Sequence, residues 1–305
     1  MRSAIITGAN GFIGRNVAKY LADNGVKVYA FVRNKNKSIY LDKNKNINII
    51  ECKMEKIDQL NFNESIDTFY HFAWEGVSGE ERKDYNIQIK NIKYTCDAIK
   101  LAKKLEASKF IFAGSIIEYE YYKCIEKNQS SINNIYGLAK ITARNMGKII
   151  SDSIGIKFIE TTISNVYGPG EYSPRLINMV IRKMLKKEKI SLTLCEQLYD
   201  FIYIDDAVRA YYLIGQNGES KQNYYIGNNR PRKLKKFILE IRNCIDCTLE
   251  IGFGDIPFTG VSLEYNELDT SYLYEGLEFE TLTSFGDGVL ETIKWVKKHE
   301  EFIGS

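Results

Sequence analysis

Residues 3–14 read Ser3-Ala4-Ile5-Ile6-Thr7-Gly8-Ala9-Asn10-Gly11-Phe12-Ile13-Gly14. Ser3 to Thr7 is a short apolar run of the kind that forms a strand buried on both faces of a parallel sheet. From Phe12 the apolar residues Val17, Tyr20 and Leu21 recur at helical spacing until Gly25 supplies a stop. A strand, a glycine turn and a helix in that order leave backbone amides and the positive helix end facing outward, where a phosphate can be held. The spacing Gly8-x-x-Gly11-x-x-Gly14 is one residue longer than the common dinucleotide fingerprint. Its position at the head of an alternating pattern makes a dinucleotide cradle the expectation.

That pattern continues. Strand-like segments recur at Val26 to Val32, Ile47 to Cys52, Thr68 to Phe72, Lys109 to Ala113 and Lys157 to Ile163, with helical periodicity near 85–105 and 136–154. Such alternation predicts an α/β fold, a Rossmann-type doubly wound parallel sheet. Residues 34–48, rich in Lys and Asn, read as a solvated loop. The alternation breaks at NVYGPGEYSPR (165–175), where Pro169 and Pro174 fall. Beyond it lie a helix near 175–187, the segment LYDFIYIDD (198–206), a strand at Tyr224 to Gly227 and a closing helix near Gly288 to Glu300. The expected division is a dinucleotide-binding domain over 1–168 plus about 205–228, and a smaller mixed domain for substrate over 169–204 and 229–305.

The chain has 305 residues, 44% apolar and 27% charged, which matches ordinary globular proteins and excludes collagen-like or disordered readings. Forty-two Lys and Arg against 39 Asp and Glu leave a formal +3, too small a surplus to indicate a nucleic-acid partner. The opening residues lack the apolar core of a secretory leader or a spanning helix, so a cytoplasmic protein without a membrane partner is expected. Six cysteines are scattered, and the one close pair, Cys244 and Cys247, lacks a second ligand pair for zinc. With only His71 and His299 available, neither a histidine-rich metal site nor a Ser-His-Asp triad has its material.

Tyr136-Gly-Leu-Ala-Lys140 opens a helical segment, and a separation of four puts both side chains on one face. A phenol is a poor acid or base near neutral pH, but a cation within a few ångströms lowers its pKa by ~1–3 units. Ser115 falls just past a strand's carboxyl end, where open parallel sheets place their ligands. After the second strand, where NAD-binding folds usually present an acid to the adenosine ribose, the chain has Val32-Arg33-Asn34. A guanidinium there suits a 2′-phosphate, so NADP(H) is favoured over NAD(H).

Taken in order, TGANGFIG, the serine at 115, YGLAK, NVYGPG, YDFIYIDDA, YYIGN and the closing helix with Trp295 span most of the chain. This set resembles the extended short-chain dehydrogenase/reductase family, in its sugar-nucleotide epimerase/dehydratase branch. The resemblance implies a nicotinamide dinucleotide cofactor, a nucleoside-diphosphate sugar as substrate and assembly as a homodimer through the helices near 90–105 and 136–154. It implies that Ser115, Tyr136 and Lys140 form the catalytic trio: tyrosine as acid or base, lysine on the nicotinamide ribose, serine orienting the reacting oxygen. It places Gly8, Asn10, Gly11, Phe12, Ile13, Gly14, Arg33, Lys53, Met54 and Ala73 on the cofactor, and Trp74, Ser115, Asn165 and Arg175 on the substrate. His71 precedes the cofactor-lining segment, and Asn91 and Asn165 match asparagines of the family's helix and substrate-loop motifs. Trp74 and the group Tyr119, Tyr121 and Tyr122 offer rings to a sugar or base, with packing as the plainer reading.

Departures from the family pattern narrow the reaction. Dehydratases of the family carry an acid pair directly after the catalytic hydroxyl, where this chain has Ile116 and Ile117, and neither can transfer a proton. Glu118, one step further, reads as a local structural or substrate contact. Lys53, Thr162 and Tyr199 stand where relatives have an aspartate for the adenine and arginines for the substrate, with Arg175 and Arg209 as compensating cations. Ketone reduction and epimerisation remain, since both need only hydride transfer and the tyrosine. Arg33 tilts the expectation to an NADP(H)-dependent reductase of a nucleotide-linked 4-keto-6-deoxyhexose. The alternatives are an NAD-dependent nucleotide-sugar 4-epimerase and a non-catalytic dinucleotide-sensing protein.

Overall fold

The computed structural model describes all residues except 39, 40, 42, 43, 61, 63 and 300–305. Seven parallel strands form its main sheet: β1 (Ser3–Thr7), β2 (Lys27–Val32), β3 (Ile47–Glu51), β4 (Thr68–His71), β5 (Lys109–Ser115), β6 (Lys157–Ile163) and β7 (Asn223–Ile226). The spatial order is β7-β6-β5-β4-β1-β2-β3. The chain winds outward from β1 through β2 to β3, then returns to β4 on the other side and winds the opposite way. The β1/β4 boundary is therefore the switch point at which open α/β sheets form a crevice at their carboxyl ends. Register carries Thr7, His71, Phe31 and Phe112 to that edge together, since Thr7 pairs with Phe31 and His71, and His71 with Phe112.

The strands form where β-branched and aromatic runs occur, and their alternation assigns each face. Phe69, Phe110 and Phe158 stand side by side on β4, β5 and β6 as stacked rings, with centroids 5.3 and 5.8 Å apart. Helices α2 (Tyr85–Lys104) and α4 (Ile135–Ile154) cover this face and pack against one another. Gly147 makes the approach possible, because a Cβ there would lie 2.8 Å from the Phe158 ring and 3.0 Å from Ile99. Tyr70, of opposite parity to Phe69, gives its hydroxyl to the Tyr211 carbonyl, and Phe72 sets its ring edge-on to that of Tyr211. Helix α1 (Phe12–Asp23) buries Val17 and Leu21 of the stripe on which its assignment rested, with Ala18 beside them, while Tyr20 is half-buried.

Two compact units divide the chain. The first comprises Met1–Ile163, Val208–Ile226 and Asp269–Phe279. Its last segment, expected with the tail, holds the short helix Ser271–Tyr274, whose Tyr272 ring meets Tyr224 of β7 while Leu273 and Phe279 are buried. The second comprises Ser164–Ala207, Gly227–Leu268 and Glu280–Ser305. In it the parallel segments Asn165–Tyr167 and Phe201–Tyr203 gather Tyr167, Phe201, Phe237 and Phe285 into an aromatic core. Its helix Phe285–Lys298 starts three residues before the expected Gly288, at a Ser284 cap, and the expected end at Glu300 lies outside the described residues. The Lys/Asn-rich segment 34–48 begins with the short helix Lys35–Lys37, and its residues 39, 40, 42 and 43 are also outside them. Among the described residues, no helix is long and apolar enough to cross a membrane.

Phe110 touches the rings of Phe69, Phe158 and His71 and is fully buried. Phe110→Ala should therefore destabilise the first unit by about 3–5 kcal/mol, through lost transfer energy and the cavity left behind. Urea denaturation followed by circular dichroism measures this.

Candidate active site

The glycine turn after β1 is built for a close approach. Gly8 sits at φ +68°, and a Cβ on it would lie 2.8 Å from the Ala73 amide nitrogen. A Cβ on Gly14 would lie 2.4 Å from the Gly8 carbonyl oxygen, while the Gly11 amide donates to that same oxygen at 2.9 Å. Helix α1 begins at Phe12 with no side-chain cap and no acid in its first turn. Its leading amides and positive end are thus left for an anion. The residues present fit a dinucleotide diphosphate.

Across the switch point stand the three candidate chemical residues. Ser115 closes β5, with its hydroxyl oxygen accepting from the Ile117 amide at 3.3 Å. Tyr136 is the second residue of α4, and Lys140 follows one turn later. Lys140 is 5% exposed and donates to the Ala113 carbonyl at 2.9 Å, two residues before Ser115. Its ammonium lies 3.7 Å from the centroid of the Trp74 ring. Trp74 in turn meets Tyr136 edge-to-face at 6.1 Å. Tyr136 and Lys140 thus share Trp74 as a neighbour, and Lys140 reaches the end of β5 two residues from Ser115. Burial pushes the Lys140 ammonium down to about 7, and the Glu118 carboxylate opposes that fall. His71, expected to lead the segment past the cofactor, is pushed down to about 3, by burial first and Lys140 second, and is neutral. It sits between the hydroxyls of Thr7 (3.0 Å) and Thr95 (3.2 Å).

The segment after His71 is pinned from α2. Asn91 exchanges two hydrogen bonds of 2.9 Å with the backbone of Glu75, and Gln88 accepts from the Trp74 indole at 2.8 Å. Trp74, expected on the substrate with packing as the plainer reading, holds the Lys140 ammonium over its ring. Two residues escaped the sequence reading. Arg82 places its guanidinium carbon 4.8 Å from the Tyr136 ring centroid, yet it stands in a run of charges, EERKD, that reads as solvated surface. Arg144 pairs with Glu118 at 2.9 Å, a contact between two helices that spacing along the chain does not reveal.

Other expected contacts are more dispersed. Arg33 lies just past β2, 74% exposed at its side chain, and pairs with Glu75 at 2.9 Å. Lys53 is exposed and Met54 buried at the head of a short helical turn. Thr162 bonds Asn223 rather than facing outward, and Arg209 lies 5.5 Å over the Phe279 ring. Within the second unit, Asn165 donates through its side chain to the Asp200 carbonyl at 3.2 Å, Tyr199 stacks on Phe201, and Arg175 stands exposed beside Glu171.

The profile of the NAD dependent epimerase/dehydratase family matches residues 4–227. The chain is 27% identical over 252 residues to the CDP-abequose synthase of Salmonella typhimurium, covering 78% of this chain and 79% of that one. It is 25% identical over 260 residues to the dTDP-D-glucose 4,6-dehydratase of Dictyostelium discoideum, covering 75% and 59%. Among solved structures, the UDP-glucose 4-epimerase of Thermotoga maritima superposes with a TM-score of 0.81 at 21% identity, covering 98% of this chain and 99% of that one. The dTDP-glucose 4,6-dehydratase of Bacillus anthracis in complex with NAD gives 0.82 at 20% identity, covering 99% and 98%. With its glycine cradle, its Tyr136–Lys140 pair and a family match over most of its length, this chain belongs to the NAD dependent epimerase/dehydratase family, a family of enzymes.

Proposed function

We propose that the protein is a reductase that converts a nucleotide-linked 4-keto-6-deoxyhexose to the alcohol at the expense of NADPH. The observation that carries this reading is the pair Ile116 and Ile117 beside an otherwise complete Ser115, Tyr136 and Lys140. Ile116 is buried, its amide donating to the Ile163 carbonyl, and neither side chain can move a proton. A nicotinamide cofactor supplies hydride to the ketone carbon when bound. Tyr136 gives its phenolic proton to the ketone oxygen, Ser115 orients that oxygen, and Lys140 holds the ribose and favours the phenolate left behind. One hydride and one proton are added to the C=O bond, so the balance closes without a further acid. Residues 8–14 and Ala73 would hold the dinucleotide, and Arg33 its 2′-phosphate. Asn165 and Arg175 are proposed to contact the nucleotide sugar. CDP-abequose synthases among the relatives support a CDP-linked sugar as the first substrate to try.

NADPH oxidation, followed at the reduced-nicotinamide absorbance with CDP-, dTDP- and UDP-linked 4-keto-6-deoxyhexoses, tests the reaction. We expect turnover with one of them, faster with NADPH than NADH. Tyr136→Phe should lower kcat by ~10²–10⁴-fold with dinucleotide binding intact. Interconversion of two sugar nucleotides without added dinucleotide would instead identify an epimerase.

Lys140 gives a second expectation. With its pKa at about 7 in the free protein, a growing share of the protein holds it neutral as pH rises above that value. An anionic dinucleotide favours the ammonium, so binding should take up protons above about pH 7, with uptake vanishing as pH falls well below it. Calorimetry in buffers of different ionisation enthalpy measures this, and Lys140→Met should abolish the uptake.

We also propose that two copies pair through α2 and α4. These helices carry exposed Tyr85, Ile89, Leu138, Met146 and Ile149, the last 70% exposed. An apolar patch of this kind on paired helices is typical of a subunit interface. Light scattering should report a dimer, and Ile149→Lys should shift it towards monomer.

A further inference from the structure

We propose that Glu118 is a positioning residue, whose carboxylate ties the backbone at Ser115 to the surroundings of Lys140, both side chains being fastened to the last residues of β5. This rests on the catalytic reading of Ser115, Tyr136 and Lys140. Glu118 is the second residue of α3 (Ile117–Glu126) and is 1% exposed. Its Oε1 accepts from the Ser115 amide at 2.9 Å, and its Oε2 faces Arg144 of α4 at 2.9 Å. Out of solvent, with Oε1 held by the Ser115 amide and Oε2 beside the Arg144 charge, it reads as a structural anchor rather than as a replacement for the acid pair. A Cβ on Gly114 would run into the Thr161 backbone carbonyl and lie 2.8 Å from Oε1, which leaves glycine as the residue that fits before Ser115.

The pair continues along α4 towards the surface. Arg144 also approaches Glu160 of β6 at 3.5 Å, and Lys148 of α4 pairs with Glu160. Glu118, Arg144, Glu160 and Lys148 thus form an alternating chain of charges between α3, α4 and β6, anchored at one end on the serine amide. Around Lys140, the charged and titratable groups are Glu118 from α3, Arg144 further along α4, neutral His71 from β4 and Tyr136 one turn back, whose ring carries Arg82. Glu118 is the group that raises the lysine's proton affinity against burial, and its own carboxyl, raised by burial, is drawn back first by Arg144. One side chain therefore acts on two of the three candidate catalytic groups, by a hydrogen bond and by charge.

Glu118→Gln separates these effects, because the amide keeps an acceptor for the Ser115 N–H and removes the charge. Its dinucleotide-linked proton uptake should begin at a pH lower by about 1 unit than in the wild type, since an uncompensated buried lysine loses its proton more readily. With a turned-over ketosugar, the alkaline limb of kcat/KM should move down equally, with kcat at pH 6 within ~3-fold of wild type. Glu118→Val removes acceptor and charge together and should lower kcat by ~10–100-fold at every pH, with KM changed by less than ~3-fold, as expected of a misplaced catalytic group. An unchanged onset of proton uptake in Glu118→Gln would overturn the proposal, as would a folded Glu118→Val with wild-type kcat. Calorimetry needs no sugar substrate. A wild type inactive on the whole panel yet showing the shift would count against the reductase reading and leave the lysine's dependence on Glu118 standing.

Discussion

An ammonium withdrawn from water must find its compensation in the protein, or it gives up its proton. Lys140 finds it from three directions: the Ala113 carbonyl at the end of β5, the faces of Trp74 and Phe112, and the field of Glu118 on α3. The lysine itself is on α4. The Trp74 segment, the consecutive β5 and α3, and α4 must therefore all be in place before the charge can be buried. The parallel register that aligns His71 with Phe112 sets two of them, and the packing of α3 on α4, where a Cβ on Gly137 would lie 3.0 Å from the Ile117 carbonyl, sets the others.

The same constraint ties the glycine cradle to the tyrosine. Gly8 lies against the backbone of Ala73, and the next residue is the tryptophan beneath Lys140. Thr7, immediately before Gly8, accepts from the Ala73 amide at 3.2 Å and bonds His71. The carboxyl end of β1 is thus bonded to the segment that carries Trp74, and Asn91 and Gln88 hold that segment from α2. This rigidity suits a site in which a hydride and a proton must arrive at adjacent atoms, because small misplacements there are expensive in rate.

Much of this was legible from residue order alone. The apolar run before Gly8 and the helical stripe after it place the first crossover, and β1 and β6 have the bounds expected from their apolar runs. Tyr136 and Lys140 are readable as a pair because a helix repeats every 3.6 residues, a local property. The charged network was not legible, because its members pair between elements. Lys157-Phe-Ile-Glu-Thr-Thr-Ile163 places a glutamate in the middle of a buried strand, an anomaly that makes sense once Arg144 and Lys148 are seen on the facing helix. The parity of the strand is the clue, since Glu160 shares a face with Phe158, and that face meets α4. Arg82 and the return of residues 269–279 to the first unit depend likewise on tertiary contacts that have no periodicity.

The buried charges between α3, α4 and β6 are poorly explained by stability. Well-packed apolar side chains of similar volume commonly hold such positions at no loss, and sometimes at a gain of about 1–4 kcal/mol, because two ions taken from water recover little more than their desolvation. An apolar cluster there would, however, supply neither an acceptor for the Ser115 amide nor a negative charge within reach of Lys140. What the network adds over its apolar equivalent is direction and charge at the carboxyl end of β5, the edge of the sheet where the parallel fold places its chemistry.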